Sequence, residues 1–143
     1  MIEVEYKIDL ISSANRHGSV RDRMSRTKRH REAAAMWLLA KSREPGISMP
    51  KPPYAVTFTR ISHREIHDSD NLAYSFKPTR DGVALFLGID DAIRLPHRWY
   101  YAQELGSKKD LGIVLKDQCV VRIKIESLED HQDEYPSYPT AKT

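Results

Sequence analysis

The sequence predicts one α+β domain, a mixed four-stranded sheet packed on two helices in the order β-α-β-α-β-β. Three observations lead there. Strand-like alternation of apolar and polar residues appears in four places. Two of the connections between strands carry apolar residues at the three-and-four spacing of a helix. The chain has 143 residues, 40% hydrophobic and 30% charged, enough for a single core. No apolar run approaches a membrane span and the N-terminus has no signal-peptide pattern, so the expected location is the cytoplasm, with no membrane partner. The single cysteine, Cys119, excludes an internal disulfide and a cysteine-based zinc site. It falls in a strand pattern and is expected as a small buried hydrophobe.

Residues 3–10 open the chain with Val4, Tyr6, Ile8 and Leu10 alternating against charged neighbours, as in a half-buried strand. Residues 11–18 are polar and turn-like, and residues 20–25 are too charged to assign to an element, which suits a loop or short hairpin. From 27 to about 43 the composition is helical. Its first turns are basic, and Ala33, Met36, Trp37 and Ala40 supply an apolar face, with Trp37 expected in the core. Prolines 45, 50, 52 and 53 punctuate the next connection. Residues 54–62 form a second strand rich in β-formers, which runs on toward Asp68.

A second helix is expected from Asn71. Leu72, Phe76, Thr79, Val83 and Leu87 would make its buried face, Asp70 its N-cap and Gly88 the residue past its end. Pro78 cannot donate to the carbonyl of Tyr74, so the helix should kink there or restart at Pro78. Residues 93–105 read as a third strand, 106–110 as a hairpin loop, and 119–125 as a last strand alternating Val121, Ile123 and Ile125 with Arg122 and Lys124. The helix-bearing connections suit parallel pairs, and the last two strands an antiparallel hairpin. The folded domain is placed at 1–128, followed by an acidic, disordered tail at 129–143.

The net charge of +3 hides an asymmetry. The last 18 residues hold five acids and one lysine, so the rest carries 22 basic against 15 acidic residues. Between positions 16 and 31 stand Arg16, Arg21, Arg23, Arg26, Lys28, Arg29 and Arg31, opposed by Asp22 alone. A polyanionic partner is implied, with this basic run and the later Lys108 and Lys109 as phosphate contacts. A solvated, flexible basic loop is the plainer explanation of such a run taken alone.

The chemistry-bearing stretch is 67–91. Asp68 and Asp70 are one residue apart, so on an extended backbone their carboxylates share a face. Lys77 follows two helical turns later, and Asp90 and Asp91 close the segment, able to approach the first pair if the chain doubles back. Clustered carboxylates repel unless a cation holds them, and an all-oxygen set suits Mg²⁺ or Mn²⁺. Such a metal polarises a phosphodiester and supplies hydroxide, and a lysine adds charge stabilisation. The competing reading is a solvated helix cap followed by an acidic turn. His67 is expected at the surface.

Asp68-Ser69-Asp70-Asn71-Leu72, then Lys77, Arg80-Asp81-Gly82 and Leu87-Gly88-Ile89-Asp90-Asp91, resemble the signature of the RusA-like Holliday junction resolvases. The signature spans about a sixth of the chain; the remainder resembles the family in element order and length more than in letters. The resemblance implies a dimeric, Mg²⁺-dependent endonuclease that cuts four-way or other branched DNA in recombination and repair. It implies Asp68, Asp70 and Asp91 as metal ligands, with Asp90 as the alternate, and Lys77 as transition-state stabiliser. One departure is visible: the family's lysine falls a turn earlier, where this chain has Tyr74. The alternative function is a non-catalytic nucleic-acid-binding protein that uses the basic 16–31 segment.

Overall fold

A computed structural model describes residues 1–10, 19–89, 96–114 and 118–131, with the backbone of 141–142. The chain is an α+β domain whose mixed sheet has four long strands, β1 (Ile2–Asp9), β2 (Tyr54–Ser62), β3 (Arg98–Leu105) and β4 (Gln118–Ser127). A two-residue strand, β5 (Ala141–Lys142), pairs antiparallel with the start of β3. The helices are α1 (Val20–Ser42), α2 (Ser69–Ser75), α3 (Lys77–Leu87) and the single turn α4 (Lys108–Leu111).

The order across the sheet is β1-β4-β2-β3-β5. β4 lies between β1 and β2 and is antiparallel to both. β2 and β3 form the one parallel pair among the described residues, joined by the crossover through α2 and α3. The expected hairpin between the last two long strands is therefore absent: β3 and β4 are separated by β2. Composition supplies the reason. β2 is buried along both faces except at Thr57, so it needs a strand on each side and cover above and below. β1 and β4 alternate buried and exposed residues and tolerate solvent on one face.

The inner face gathers Ile2, Val4, Tyr6 and Ile8 of β1, Val56 and Phe58 of β2, Trp99 and Tyr101 of β3, and Cys119, Val121, Ile123 and Ile125 of β4. Phe58 stacks on Phe76, Trp99 and Tyr101 at centroid distances of 5.4, 6.0 and 5.6 Å, which makes it the centre of an aromatic cluster. Cys119 is fully buried as expected, and burial pushes its thiol pKa up to about 11, so it behaves as a hydrophobe.

α1 differs from expectation at both ends of the argument. It begins at Val20, seven residues earlier, because Ser19 and Asp22 form a reciprocal capping box, each side chain bonding the other's backbone N–H. The charged run 20–26 is thus helix. Its buried stripe is His30, Ala34 and Leu38 rather than the face through Met36 and Trp37. Trp37 is half-exposed and covers Tyr6 with one ring face, 5.9 Å between centroids and 5° from parallel. Gly82 explains the phase: a Cβ there would stand 2.2 Å from the carbonyl oxygen of Arg31 and 3.0 Å from Cβ of Ala34. α3 therefore presses its backbone onto α1 at Arg31 and Ala34, and that contact sets which stripe faces inward.

Candidate active site

β1 and β2 run in the same direction, since both oppose β4, and β3 is parallel to β2. One end of the sheet therefore carries Asp9, Ser62 and Leu105, and from it the chain runs on toward Asp68 and toward α4. The chain leaves β2 at Ser62 as irregular backbone tied down by side chains. The Arg60 guanidinium donates to the carbonyl of Arg64. Gln103 of β3 clamps Ile66 from both sides, accepting its N–H at 2.8 Å and donating to its carbonyl at 2.7 Å. Ile66 is buried, so this clamp also fixes the path that delivers Asp68 to the head of α2.

Asp68, rather than Asp70, is the N-cap: its carboxylate accepts the N–H of Asp70 at 2.9 Å. Asp70 stands in the first turn, where the helix dipole favours an acid. Both side chains are exposed, and neither has a cation partner among the described residues. The helix breaks where Pro78 predicts. α2 ends at Ser75, Phe76 caps both helices, and α3 restarts at Lys77 with the proline in its first turn. Gly88 ends α3 in the left-handed conformation with φ 67°, as expected.

Much of the signature is thereby explained by packing. Leu72, Phe76 and Val83 are core, Gly82 admits α1, and Gly88 turns the chain. Arg80 lies over the Trp99 ring at 4.5 Å and donates to the Tyr101 hydroxyl at 3.4 Å. Packing leaves unexplained the exposed acids Asp68 and Asp70 and the exposed Lys77. The Lys77 ammonium is 3.9 Å from Asp81 one turn on, a loose surface pair. Asp90, Asp91 and Arg16 lie outside the described residues. Among the described residues no three His, Cys, Asp or Glu side chains converge on one point.

The basic residues separate into groups. Arg21, Lys28 and Arg31 point outward from α1, and Lys28 makes a long pair with Glu32 at 3.9 Å. Arg29 clamps Asp9 at the end of β1 with two bonds of 2.7 Å. Arg26, partly buried, and Arg23, exposed, line with Leu10, Thr27, His30, Ser75 and Pro78 a recess between α1 and the break from α2 to α3. Lys108 and Lys109 sit on α4, a capped helical turn where a hairpin loop was expected. Lys108 joins Arg60 and Arg64 around His63, whose pKa local burial and those charges depress.

Sequence reasoning missed Asp9 and His30. His30 was readable in principle, since positions 23, 26, 27, 30, 34 and 38 fall on one helical stripe once the helix is started at Ser19. The chain matches no family model, no curated protein and no solved structure. Among the described residues no helix is long and apolar enough to cross a membrane.

Proposed function

We propose that the chain is a metal-dependent endonuclease that hydrolyses phosphodiesters of branched DNA, acting as a homodimer in the cytoplasm. One observation carries the reading: two exposed carboxylates, without a cation partner among the described residues, stand at a braced strand-to-helix junction. The donor set fits Mg²⁺, which commonly takes one or two carboxylates and completes its shell with waters and substrate phosphate. Asp68 and Asp70 would hold it, with Asp91, or Asp90 in its place, as the further ligand that the resemblance implies. The metal when bound supplies a polarised phosphoryl group and an acidified water.

The residues of the chain do the rest. Asp68 caps α2 and so holds its own carboxylate and that of Asp70 in one orientation. Gln103 keeps the preceding backbone from drifting. Lys77, restarted on α3 by Pro78, offers a positive charge to the phosphoryl oxygens as charge builds on them. The arginines of α1 draw the polyanion to this end of the sheet. A junction needs two symmetric cuts, and two copies related by a two-fold axis would supply them.

The test is incubation of a synthetic four-way junction with and without Mg²⁺ beside a linear duplex of the same arms. Incision of the junction that depends on Mg²⁺ or Mn²⁺ is expected. Tight binding with no incision under either metal would instead favour the non-catalytic nucleic-acid-binding protein.

A further inference from the structure

α1 presents a single inward stripe whose chemistry changes along its length. Ala34 and Leu38 are apolar and fully buried, yet the same stripe continues toward the N-terminus as His30, Thr27, Arg26 and Arg23. Arg26 is partly buried and Arg23 lies exposed at the rim, and both line a recess walled by Leu10, Ser75 and Pro78. Its cavity of about 10 Å³ is the room of one water-sized oxygen.

Two side chains of its lining carry a buried nitrogen without a hydrogen bond. His30 is 3% exposed, and its Nε2 has no hydrogen-bond partner. Nη1 of Arg26 is buried and likewise unpartnered. Asp9 is the nearest acid, with its Oδ1 3.7 Å from Nε2 of His30, beyond hydrogen-bond reach. Its charge is already matched by the two Arg29 bonds. Arg23 and Arg26 have no ion-pair partner among the described residues, so the described lining carries two positive charges and no acid. Buried donors without acceptors are costly, and an acceptor oxygen bearing negative charge removes that cost best.

We propose that this recess is a phosphate subsite that seats one non-bridging oxygen of a DNA backbone phosphate, with His30 and Arg26 as the inner donors and Arg23 at the mouth. Ser75 and Pro78 place it beside the joint between α2 and α3, five residues along the chain from Asp70. A phosphodiester anchored there would lie near the acid pair and fix the register of the strand to be cut. The assignment of the anion to DNA rests on the nuclease reading; the affinity of the recess for phosphate does not.

The experiment follows the imidazole ¹⁵N and ¹H resonances of His30 in the full chain at fixed pH and ionic strength. Inorganic phosphate and a short oligothymidylate are titrated separately, with chloride as the control. Saturable shifts of the Nε2 resonance with both ligands, and none with chloride, are expected. Arg26→Gln should weaken both at least fivefold, and Arg23→Gln less. In junction binding Arg26→Gln should reduce the slope of log affinity against log salt by about 1. His30→Gln, if it folds, should weaken phosphate binding by a similar factor. A His30 resonance that ignores phosphate, or responds equally in Arg26→Gln, would show a recess holding a structural water only. Phosphate binding with no response to oligothymidylate would overturn the DNA assignment. Asp70→Asn should leave these shifts intact, so loss of cutting and loss of the subsite are separable.

Discussion

Two acidic places at the same end of the sheet are treated in opposite ways. At the end of β1, Asp9 is matched within the chain: Arg29 clamps both of its oxygens at 2.7 Å and His30 stands 3.7 Å away. Burial alone would raise its pKa, but His30 and Arg29 outweigh that and hold the carboxyl well below the usual range. At the head of α2, Asp68 and Asp70 are exposed, adjacent and without a cation among the described residues. One acid is a structural tie between β1 and α1. The other two cap and begin α2 with their side chains open to solvent. Acidity alone therefore carries no functional message; the useful distinction is whether the fold has already supplied the countercharge.

The largest expected effect breaks that contrast through activity. Asp70→Asn removes a charge while leaving the Asp68 cap and the core untouched. Cleavage of a junction should fall by at least about 10³-fold, equivalent to about 4 kcal/mol of transition-state stabilisation. Chemical denaturation should show stability within about 0.5 kcal/mol of wild type. Wild-type cutting by Asp70→Asn would exclude the metal site described above.

Next in size is the response to metal. If Asp68 and Asp70 hold Mg²⁺ in the folded state alone, a tenfold excess over the dissociation constant stabilises by about 1.4 kcal/mol. That is a rise of about 5 °C in melting temperature, read by calorimetry. The Asp68→Asn, Asp70→Asn double variant should show no such rise. Equal shifts in both proteins would place the cation elsewhere.

Asp9 should give the smallest effect and the opposite pattern. Asp9→Asn should cost about 1 kcal/mol, since a single Arg29 nitrogen bridges both carboxylate oxygens and the pair is half-exposed. A carboxyl whose folded pKa is depressed contributes stability above its unfolded value of about 3.9, and loses it as pH falls further. The gap between wild type and Asp9→Asn should thus be full at neutral pH and shrink progressively as pH falls below about 4. A gap as large at pH 2 as at neutral pH would mean the cost comes from packing and not from charge.

Much of the fold was legible because its signals are local. Period-two alternation marks β1 and β4, three-and-four spacing marks α2 and α3, and Pro78 and Gly88 act on the backbone they belong to. Asp68 and Asp70 could be singled out for the same reason, being two residues apart. Trp37 was misplaced because the stretch around it is apolar on several sides, from Ala33 to Ala40, and local pattern cannot choose among those faces. Gly82 pressing on Arg31 and Ala34 makes the choice, about fifty residues further along the chain.

The amino-acid sequence by itself determined the four long strands, the body of α1, where the second helix breaks, and that Asp68 and Asp70 flank its start. Those outcomes depend on torsional preferences and periodicities a few residues long. Only the tertiary structure decided that β4 lies between β1 and β2, that Asp9 is neutralised by Arg29, and that Arg23, Arg26 and His30 line one recess. Each of these depends on partners distant in the chain. Strand order follows from which strand must be covered on both sides, and the countercharge of an acid follows from which helix that order lays beside it.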